Sequence, residues 1–202
     1  MTSRTALFIT DLQTELLTSP ETRIPHADRI LTASTEILTT ARSIIDAHRD
    51  TNRLSPSLIV FVQHEENPTT GGTMIKGIEP WELHFAPRES VEEEIVVGKN
   101  MDDPFKSNRG LAQKLRSAGV TDIVVLGAQS EKGVEATCTG ALAAGFRVTL
   151  LAGAHSTYDR DGEGKMAVDI EREVERRLST RGARVVGWEK AVRGWVERQR
   201  VG

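Results

Sequence analysis

Residues 123–145 read IVVLGAQSEKGVEATCTGALAAG, and the fold follows from them. An apolar, mostly β-branched run from Ile123 to Leu126 stops at Gly127; a polar turn comes next, then a helix of small residues. That order describes a buried parallel strand feeding a helix, with the turn at the strand's carboxyl end. In open α/β sheets ligands collect at that end. The unpaired first-turn N–H groups of the helix, here from Ser130 to Val134, face whatever binds there.

Outward from this unit the same pattern recurs. Ala6 to Thr10 (ALFIT) reads as a buried strand ending on Asp11, and Leu58 to Val62 (LIVFV) as another ending in Gln63 and His64. Ile95 to Val97 precedes Gly98 and Lys99, Phe146 to Ala152 (FRVTLLA) runs towards His155, and Ala183 to Val186 is a last short strand. Between them, Ile30, Leu31, Ile37, Leu38, Ile44 and Ile45 recur at helical spacing within His26 to Asp50. Leu111 to Ala118, Lys165 to Thr180 and the tail from Trp188 to Gly202 read as further helices, the tail partly exposed. Leu12 to Leu17 forms one turn before Pro20, and Asp102 to Asn108 is turn-rich around Pro104. Glu65 to Glu94 has no period, and a loop of that length in a compact domain is usually functional or a lid. Alternating strands and helices predict one α/β domain over residues 1–202, a three-layer α/β/α sandwich with a mainly parallel central sheet. The strand ends then bring Asp11, His64, Lys99, Gly127 to Gly133 and His155 towards one edge.

The bulk composition narrows the function classes. A hydrophobic fraction of 38% with 27% charged residues is that of a soluble globular protein. The net charge of −3, with both signs mixed along the chain, gives no electrostatic case for nucleic acid or a membrane surface. The single cysteine, Cys138, excludes an intrachain disulfide and a cysteine-based metal cluster. The apolar run near the amino terminus is broken by Asp11, too early for a secretory core, and no stretch reaches transmembrane length. The expected partner is a small-molecule substrate and the expected location is the cytoplasm.

Asp11 and Lys99 are the first candidate constellation. A carboxylate facing an ammonium in a semi-buried pocket stays ionised, since each favours the other's charged form, and can exchange a proton with substrate. A stabilising ion pair at the sheet edge is the plainer alternative. Backbone N–H groups around Lys132 and Gly133 could hold developing negative charge, or Gly133 merely permits a tight helix entry. Cys138 lies five residues beyond Gly133, which turns it by about 140° around a helix, and reads as an inert small hydrophobe. Ser130 reads as a helix cap whose hydroxyl could also meet substrate. His64 and His155 follow apolar strands, but no H-x-x-H or H-E-x-x-H spacing, and no Asp-x-His at either strand end, supports a metal. Trp81 and Phe105 are packing residues or an aromatic wall over the site.

These segments together resemble the isochorismatase-like hydrolase superfamily, the cysteine hydrolases. ALFITDLQ is similar to the family's opening strand, whose aspartate corresponds to Asp11. LIVFVQHEENP and EPWELHFAP resemble the second strand and its loop, and VVGKNMDDPF the segment carrying the lysine, here Lys99. VVLGAQSEKGVEAT with ALAAGFRVTLLAGAHST resembles the nucleophile turn and the strand after it. The resemblance implies Asp11 and Lys99 as the catalytic pair. Gln13, His64, Trp81, Phe105, Gln129, Ser130 and Gly133 are the positions expected to line the substrate. It also implies a cis peptide at Ala128–Gln129, a homo-oligomer with the Trp188–Gly202 tail as a plausible contact, and no organic cofactor.

The chain departs from the family's pattern in one decisive place. The nucleophilic cysteine stands six residues after the strand-ending glycine; counting from Gly127, that seat holds Gly133, followed by Val134. Gly153 stands where the family often has Asp, and the metal-ligand set of the nicotinamidases is unmatched apart from His64. Isochorismatases resemble the chain at Gly133, keeping the Asp and Lys without the thiol. By that likeness Asp11 is a general acid on a vinyl ether and Lys99 its electrostatic partner. A catalytically silent binding or assembly homologue, or an amidase that attacks through Ser130, are the competing readings.

Overall fold

The computed structural model describes residues 3–202. In chain order the elements are β1 (Arg4–Thr10), α1 (Thr14–Leu17), α2 (Ala27–Arg49), β2 (Ser57–His64), β3 (Glu94–Lys99), α3 (Pro104–Ser107), α4 (Leu111–Ser117), β4 (Val120–Ala128), α5 (Glu135–Ala143), β5 (Arg147–Ser156), α6 (Ala167–Thr180), β6 (Arg184–Gly187) and α7 (Trp188–Arg198). The strands form one six-stranded sheet in the order β3-β2-β1-β4-β5-β6, with every neighbouring pair parallel.

The alternation of residues along β1 explains the layers. Leu7 and Ile9 point to one face, where Ile59, Phe61, Val124 and Leu126 join the inner sides of α2 and α7. Ala6 and Phe8 point to the other, with Val60, Ile123, Val125 and Leu150 packed against α4, α5 and α6. Phe8, Phe61, Ile59 and Leu7 are fully buried, each stabilising the fold by roughly 1.5–3 kcal/mol on burial. The tail is anchored rather than loose: Val192, Trp195 and Val201 are buried, whereas Val196 on the outer side of α7 is 52% exposed.

The chain reverses direction across the sheet between β1 and β4. From β1 it extends to β2 and β3 on one side, and from β4 to β5 and β6 on the other. Such a switch point opens a crevice at the carboxyl ends of the two strands. Asp11 lies just past β1, and the turn before α5 lies just past β4.

Most strands run further than their apolar cores. His64 and Lys99 are paired with each other inside the β2–β3 ladder, and His155 pairs with Gly127 inside β5. A parallel ladder continues as long as a neighbour offers backbone partners, whatever the side chains. The β4–β5 register shifts after Val125, and Gly153, with φ of +80°, lies in the irregular part of β5 with Trp188 Cδ1 3.2 Å from where a Cβ would stand. The stretch around Pro104 forms a single helical turn, α3, capped by the Asp103 carboxylate accepting from the Phe105 N–H. The loop 65–94 contains two short 3-10 turns, Pro68–Thr70 and Glu79–Trp81. Its later part is tied to the chain after Asp11, with the Thr14 N–H donating to the Glu82 carbonyl and the His84 N–H to that of Leu12.

Candidate active site

Asp11 ends β1 in a left-handed conformation, φ +53°, which aspartate tolerates better than most side chains. Its N–H donates to the Val62 carbonyl at 3.0 Å, which fixes the backbone against β2. Its Oδ2 lies 2.8 Å from Lys99 Nζ, with side-chain exposure of 7% for Asp11 and 1% for Lys99. Asp11 Oδ1 is buried and has no hydrogen-bond partner. The electrostatic outcome differs from the expectation of a plainly ionised carboxylate. Burial outweighs the attraction of Lys99 and, with the charge of Asp102 adding to it, pushes the Asp11 carboxyl up to about 6.

Close contacts on either side of the turn explain why Gly127 and Gly133 are there. Gly127 has φ of +133°, and a Cβ on it would overlap the Thr10 carbonyl across the ladder. A Cβ on Gly133 would run into Asp11 Oδ2 and stand 3.3 Å from both the Ala128 oxygen and Thr10 Cγ2. The space above Gly133 therefore belongs to the Asp11 carboxyl itself. The Ala128–Gln129 peptide is cis, as the resemblance implied. Ser130–Val134 is a π-helical turn leading into α5, closed by the Val134 N–H donating to the Gln129 carbonyl at 3.2 Å. The Lys132 N–H donates to the same carbonyl at 3.1 Å, so that donor is spent inside the turn.

Several candidate residues take other positions than their sequence context suggested. Gln13 is fully buried with its amide saturated: Nε2 donates to the carbonyls of His64 (3.0 Å) and Trp81 (2.7 Å), and Oε1 accepts from the His64 N–H at 2.8 Å. It pins main chain and has nothing left for a substrate. Phe105 stacks on Phe8 at 6.0 Å and lies 6.1 Å from Phe146, so it packs the far layer instead of walling the site. Ser130 does not cap a helix; its Oγ pairs with His155 Nδ1 at 2.8 Å, both residues being fully buried. His155 Nε2 faces Glu175 Oε1 at 3.3 Å, so this histidine looks towards α6 rather than towards Asp11. Gln129 is half-buried, contributing its carbonyl to the turn. Trp81 is half-buried, its carbonyl taking bonds from Gln13 and Gln63, while its indole N–H is buried and unpaired.

His64 is the candidate that joins the Asp11–Lys99 pair to an opening. The Lys99 ammonium donates to its Nδ1 at 3.3 Å. Burial and the Lys99 charge hold its pKa below the ordinary histidine value. The ring lines a polar groove of about 590 Å³ together with Glu65, Glu66, Asn67, Thr70 and Asn100. Glu66 is fixed there, its Oε2 accepting from the N–H groups of Thr73 (2.7 Å) and Met74 (3.0 Å). Nothing in the sequence singles out Glu66, Asn100 or Asp102. They lie outside any periodic segment, and the nearest hint of Glu66's place is Gly72, where a Cβ would overlap it. Cys138 is buried mid-helix in α5, with its thiol pushed well above its ordinary pKa by that burial. Among the described residues no group of three or more His, Cys, Asp or Glu is placed to hold a metal ion. No helix among them is long and apolar enough to cross a membrane.

Comparison with known proteins agrees with this architecture. A cysteine hydrolase from Pseudomonas syringae pv. phaseolicola superimposes with a TM-score of 0.81 at 18% identity, covering 97% of this chain and 93% of that one. An isochorismatase from Pseudomonas putida gives 0.74 at 26% identity, over 93% and 89%. In sequence, the chain is 35% identical over 178 residues to a streptothricin hydrolase from Streptomyces noursei, a span of 88% of this chain but 57% of that relative. The chain thus spans a little over half the length of the curated relative it matches. Residues 5–189 match the isochorismatase domain, and the chain belongs to that family.

Proposed function

We propose that the chain is a small-molecule hydrolase working through Asp11 and Lys99 in place of a thiolate, with hydrolysis of an isochorismate-like vinyl ether as the favoured reaction. One observation carries this reading: the Asp11 carboxyl, raised to about 6 and hydrogen-bonded to Lys99, fills the place above Gly133 where a nucleophilic side chain would stand. A carboxyl titrating near neutrality is suited to give up a proton and recover it. Protonated Asp11 adds its proton to the terminal vinyl carbon; water then attacks the resulting oxocarbenium at the ether-bearing carbon and gives up a proton to the Asp11 carboxylate, which restores the acid. The hemiketal then collapses to a ketone and an alcohol. Lys99 stabilises the Asp11 carboxylate left behind.

A ligand-binding homologue without turnover is the second reading. It is favoured by the direct 2.8 Å contact between Asp11 and Lys99 and by the low exposure of both side chains. Amide hydrolysis through Ser130 is disfavoured by burial: its Oγ pairs with His155 Nδ1 at 2.8 Å, but both residues are closed off from substrate. The test is a turnover assay on isochorismate, read as pyruvate release, run beside streptothricin because a relative carries that name. Loss of turnover in Asp11→Asn with retention in Cys138→Ala supports acid catalysis. Full turnover in Asp11→Asn overturns it, and binding of a substrate that is never consumed favours the second reading.

A further inference from the structure

We propose that Gln13 is a positioning residue for this site: its carboxamide pairs with the end of β2 where β1 no longer does, and so holds Asp11 and Lys99 within reach of each other. The inference rests on the reading of Asp11 and Lys99 as the working pair. The two side chains come from strands that are not neighbours, since β2 lies between β1 and β3. With adjacent strands about 4.8 Å apart, their backbones are separated by roughly 10 Å. The 2.8 Å contact between Asp11 Oδ2 and Lys99 Nζ is therefore made across the end of β2. On the Lys99 side the ladder runs to its last residue, with His64 opposite Lys99 and the Glu65 N–H donating to the Lys99 carbonyl at 2.8 Å. On the Asp11 side it stops. The pairing of β1 with β2 ends at Thr10 opposite Val62, the Asp11 N–H donates to the Val62 carbonyl, and the left-handed turn at Asp11 then carries the chain away.

That departure leaves the next main-chain groups of β2 on this side, the His64 N–H and carbonyl, without a strand partner. Gln13 takes both: Oε1 accepts from the His64 N–H at 2.8 Å, and Nε2 donates to the His64 carbonyl at 3.0 Å. One donor and one acceptor exchanged with a single residue is the pattern of a hydrogen-bonded pair in an antiparallel ladder, here supplied by a side chain. The other Nε2 proton goes to the Trp81 carbonyl at 2.7 Å, and the Gln13 main chain forms a bridge with Leu83. The Gln13 N–H donates to the Asp11 carbonyl at 2.9 Å, so the residue that grips β2 is also bonded to the acid's own backbone. From His64 the hold passes to Lys99, whose Nζ donates to the His64 ring at 3.3 Å. Gln13 thus acts through His64 and the main chain of Asp11, and not on substrate.

The test reads the Asp11 carboxyl directly, by titration of carboxyl-13C aspartate, in a double-mutant cycle of Gln13→Met and Lys99→Met. The charges bearing on Asp11 are Lys99 from β3, which lowers its midpoint, and Asp102 from the loop after β3, which raises it. Gln13→Met keeps the side chain's length without its hydrogen bonds. By loosening Lys99 it is expected to raise the midpoint by about half a unit or more, and to raise it no further in the Lys99→Met background. With isochorismate as substrate, Gln13→Met is expected to lose roughly tenfold to a hundredfold in kcat with KM within about threefold. Gln13→Asn, an amide of shorter reach, is expected to fall between wild type and Gln13→Met in both readouts. Ile45→Ala, a fully buried position towards the far end of α2, controls for lost stability alone, and its kcat and Asp11 midpoint should stay at wild-type values. A midpoint unchanged or lowered in Gln13→Met, an equal shift with and without Lys99, or a rise in KM at wild-type kcat each overturns the proposal. Full turnover in Asp11→Asn would sink the acid reading instead, and the midpoint cycle, which needs no substrate, still judges Gln13 on its own.

Discussion

Asp11 Oδ2 occupies the volume that a side chain on residue 133 would need. The two positions are therefore coupled: with any side chain at residue 133 the Asp11 carboxyl must shift from the place it now holds 2.8 Å from Lys99. Gly133→Ala is expected to displace the Asp11 carboxyl, since it is the movable partner, whereas Ala128 and Thr10 belong to the ladder. Overpacking of this kind costs about 1–3 kcal/mol, and the loss of the acid's alignment should cost on the order of 100-fold in turnover. Thermal denaturation and the pyruvate assay read the two effects separately. Gly133→Cys asks the same shift of the Asp11 carboxyl, and amidase activity gained by it would show that Asp11 and Lys99 can serve a thiol at that seat. A stable Gly133→Ala protein at wild-type rate would show that the seat is not shared.

The raised Asp11 pKa fixes the sign of a pH dependence. A general acid acts in its protonated form, so kcat/KM should be highest below about 6 and fall about tenfold per pH unit above it. The folded value lies above the ordinary aspartate value of 3.8, so the folded state holds this proton more tightly than the unfolded chain. Its contribution to stability is present below the ordinary value and is lost as pH rises towards 6. A rate profile that climbs with pH through 6 would mean Asp11 works as a base.

What the sequence made legible follows from how parallel strands are buried. ALFIT, LIVFV and IVVL are apolar on both faces because the sheet is covered on both, so they stand out without any knowledge of partners. The same logic hides strand ends, where His64, Lys99 and His155 continue the ladder as polar residues. The Asp11–Lys99 pairing could be expected from two strand termini and the family likeness. The role of Gln13 could not, because its amide is used by backbone groups of His64 and Trp81, 51 and 68 residues away. Phe105 and Ser130 stay ambiguous in sequence for a related reason: a ring or a hydroxyl near a site is equally suited to facing the adjacent core.

Cys138 should behave as packing. It is fully buried, and burial holds the thiol in its neutral form, which is the unreactive one. Cys138→Ala is expected to leave turnover intact and to cost roughly 1 kcal/mol for the buried atom removed. In the native protein, iodoacetamide should modify it far more slowly than in urea. Rapid native alkylation accompanied by loss of activity would contradict this.

Glu94 is the anchor that ends the long loop before β3. Its side chain is fully buried, with Oε2 2.8 Å from Arg42 Nη2 and Oε1 2.6 Å from Arg88 Nε; Arg88 also reaches Asp46 at 2.8 Å. Burial alone would raise the Glu94 pKa, but the hydrogen bonds from Arg42 and Arg88 outweigh it and hold the carboxyl below its ordinary value. Glu94→Gln should cost about 3 kcal/mol, the low end for a broken buried pair because both guanidinium groups reach solvent. A depressed carboxylate contributes fully above its ordinary pKa and loses that contribution as pH falls through the folded value. Wild type should therefore lose stability in acid more steeply than Glu94→Gln. Parallel acid-denaturation curves would remove Glu94 as the cause.

Ser130 separates the hydrolytic readings most sharply. If its hydroxyl attacked substrate, Ser130→Ala would abolish turnover and wild type would accumulate an acyl adduct at that residue. The 2.8 Å pairing with His155 is the spacing of a nucleophile and its base, but both residues are fully buried between the π-turn, β5 and α6, which argues for a different result. Deleting the hydroxyl strands His155 Nδ1 without a partner, which should cost about 1–3 kcal/mol of stability. Turnover should persist at a substantial fraction of the wild-type rate, because Asp11 and Lys99 are untouched. His155→Asn can restore one hydrogen bond to Ser130 and should be less damaging than His155→Leu, a ranking that a nucleophile–base pair would not produce. Intact-mass spectra after incubation with substrate decide the matter. An unmodified chain during turnover agrees with acid catalysis at Asp11, while a stoichiometric adduct on Ser130 would transfer the chemistry to that hydroxyl.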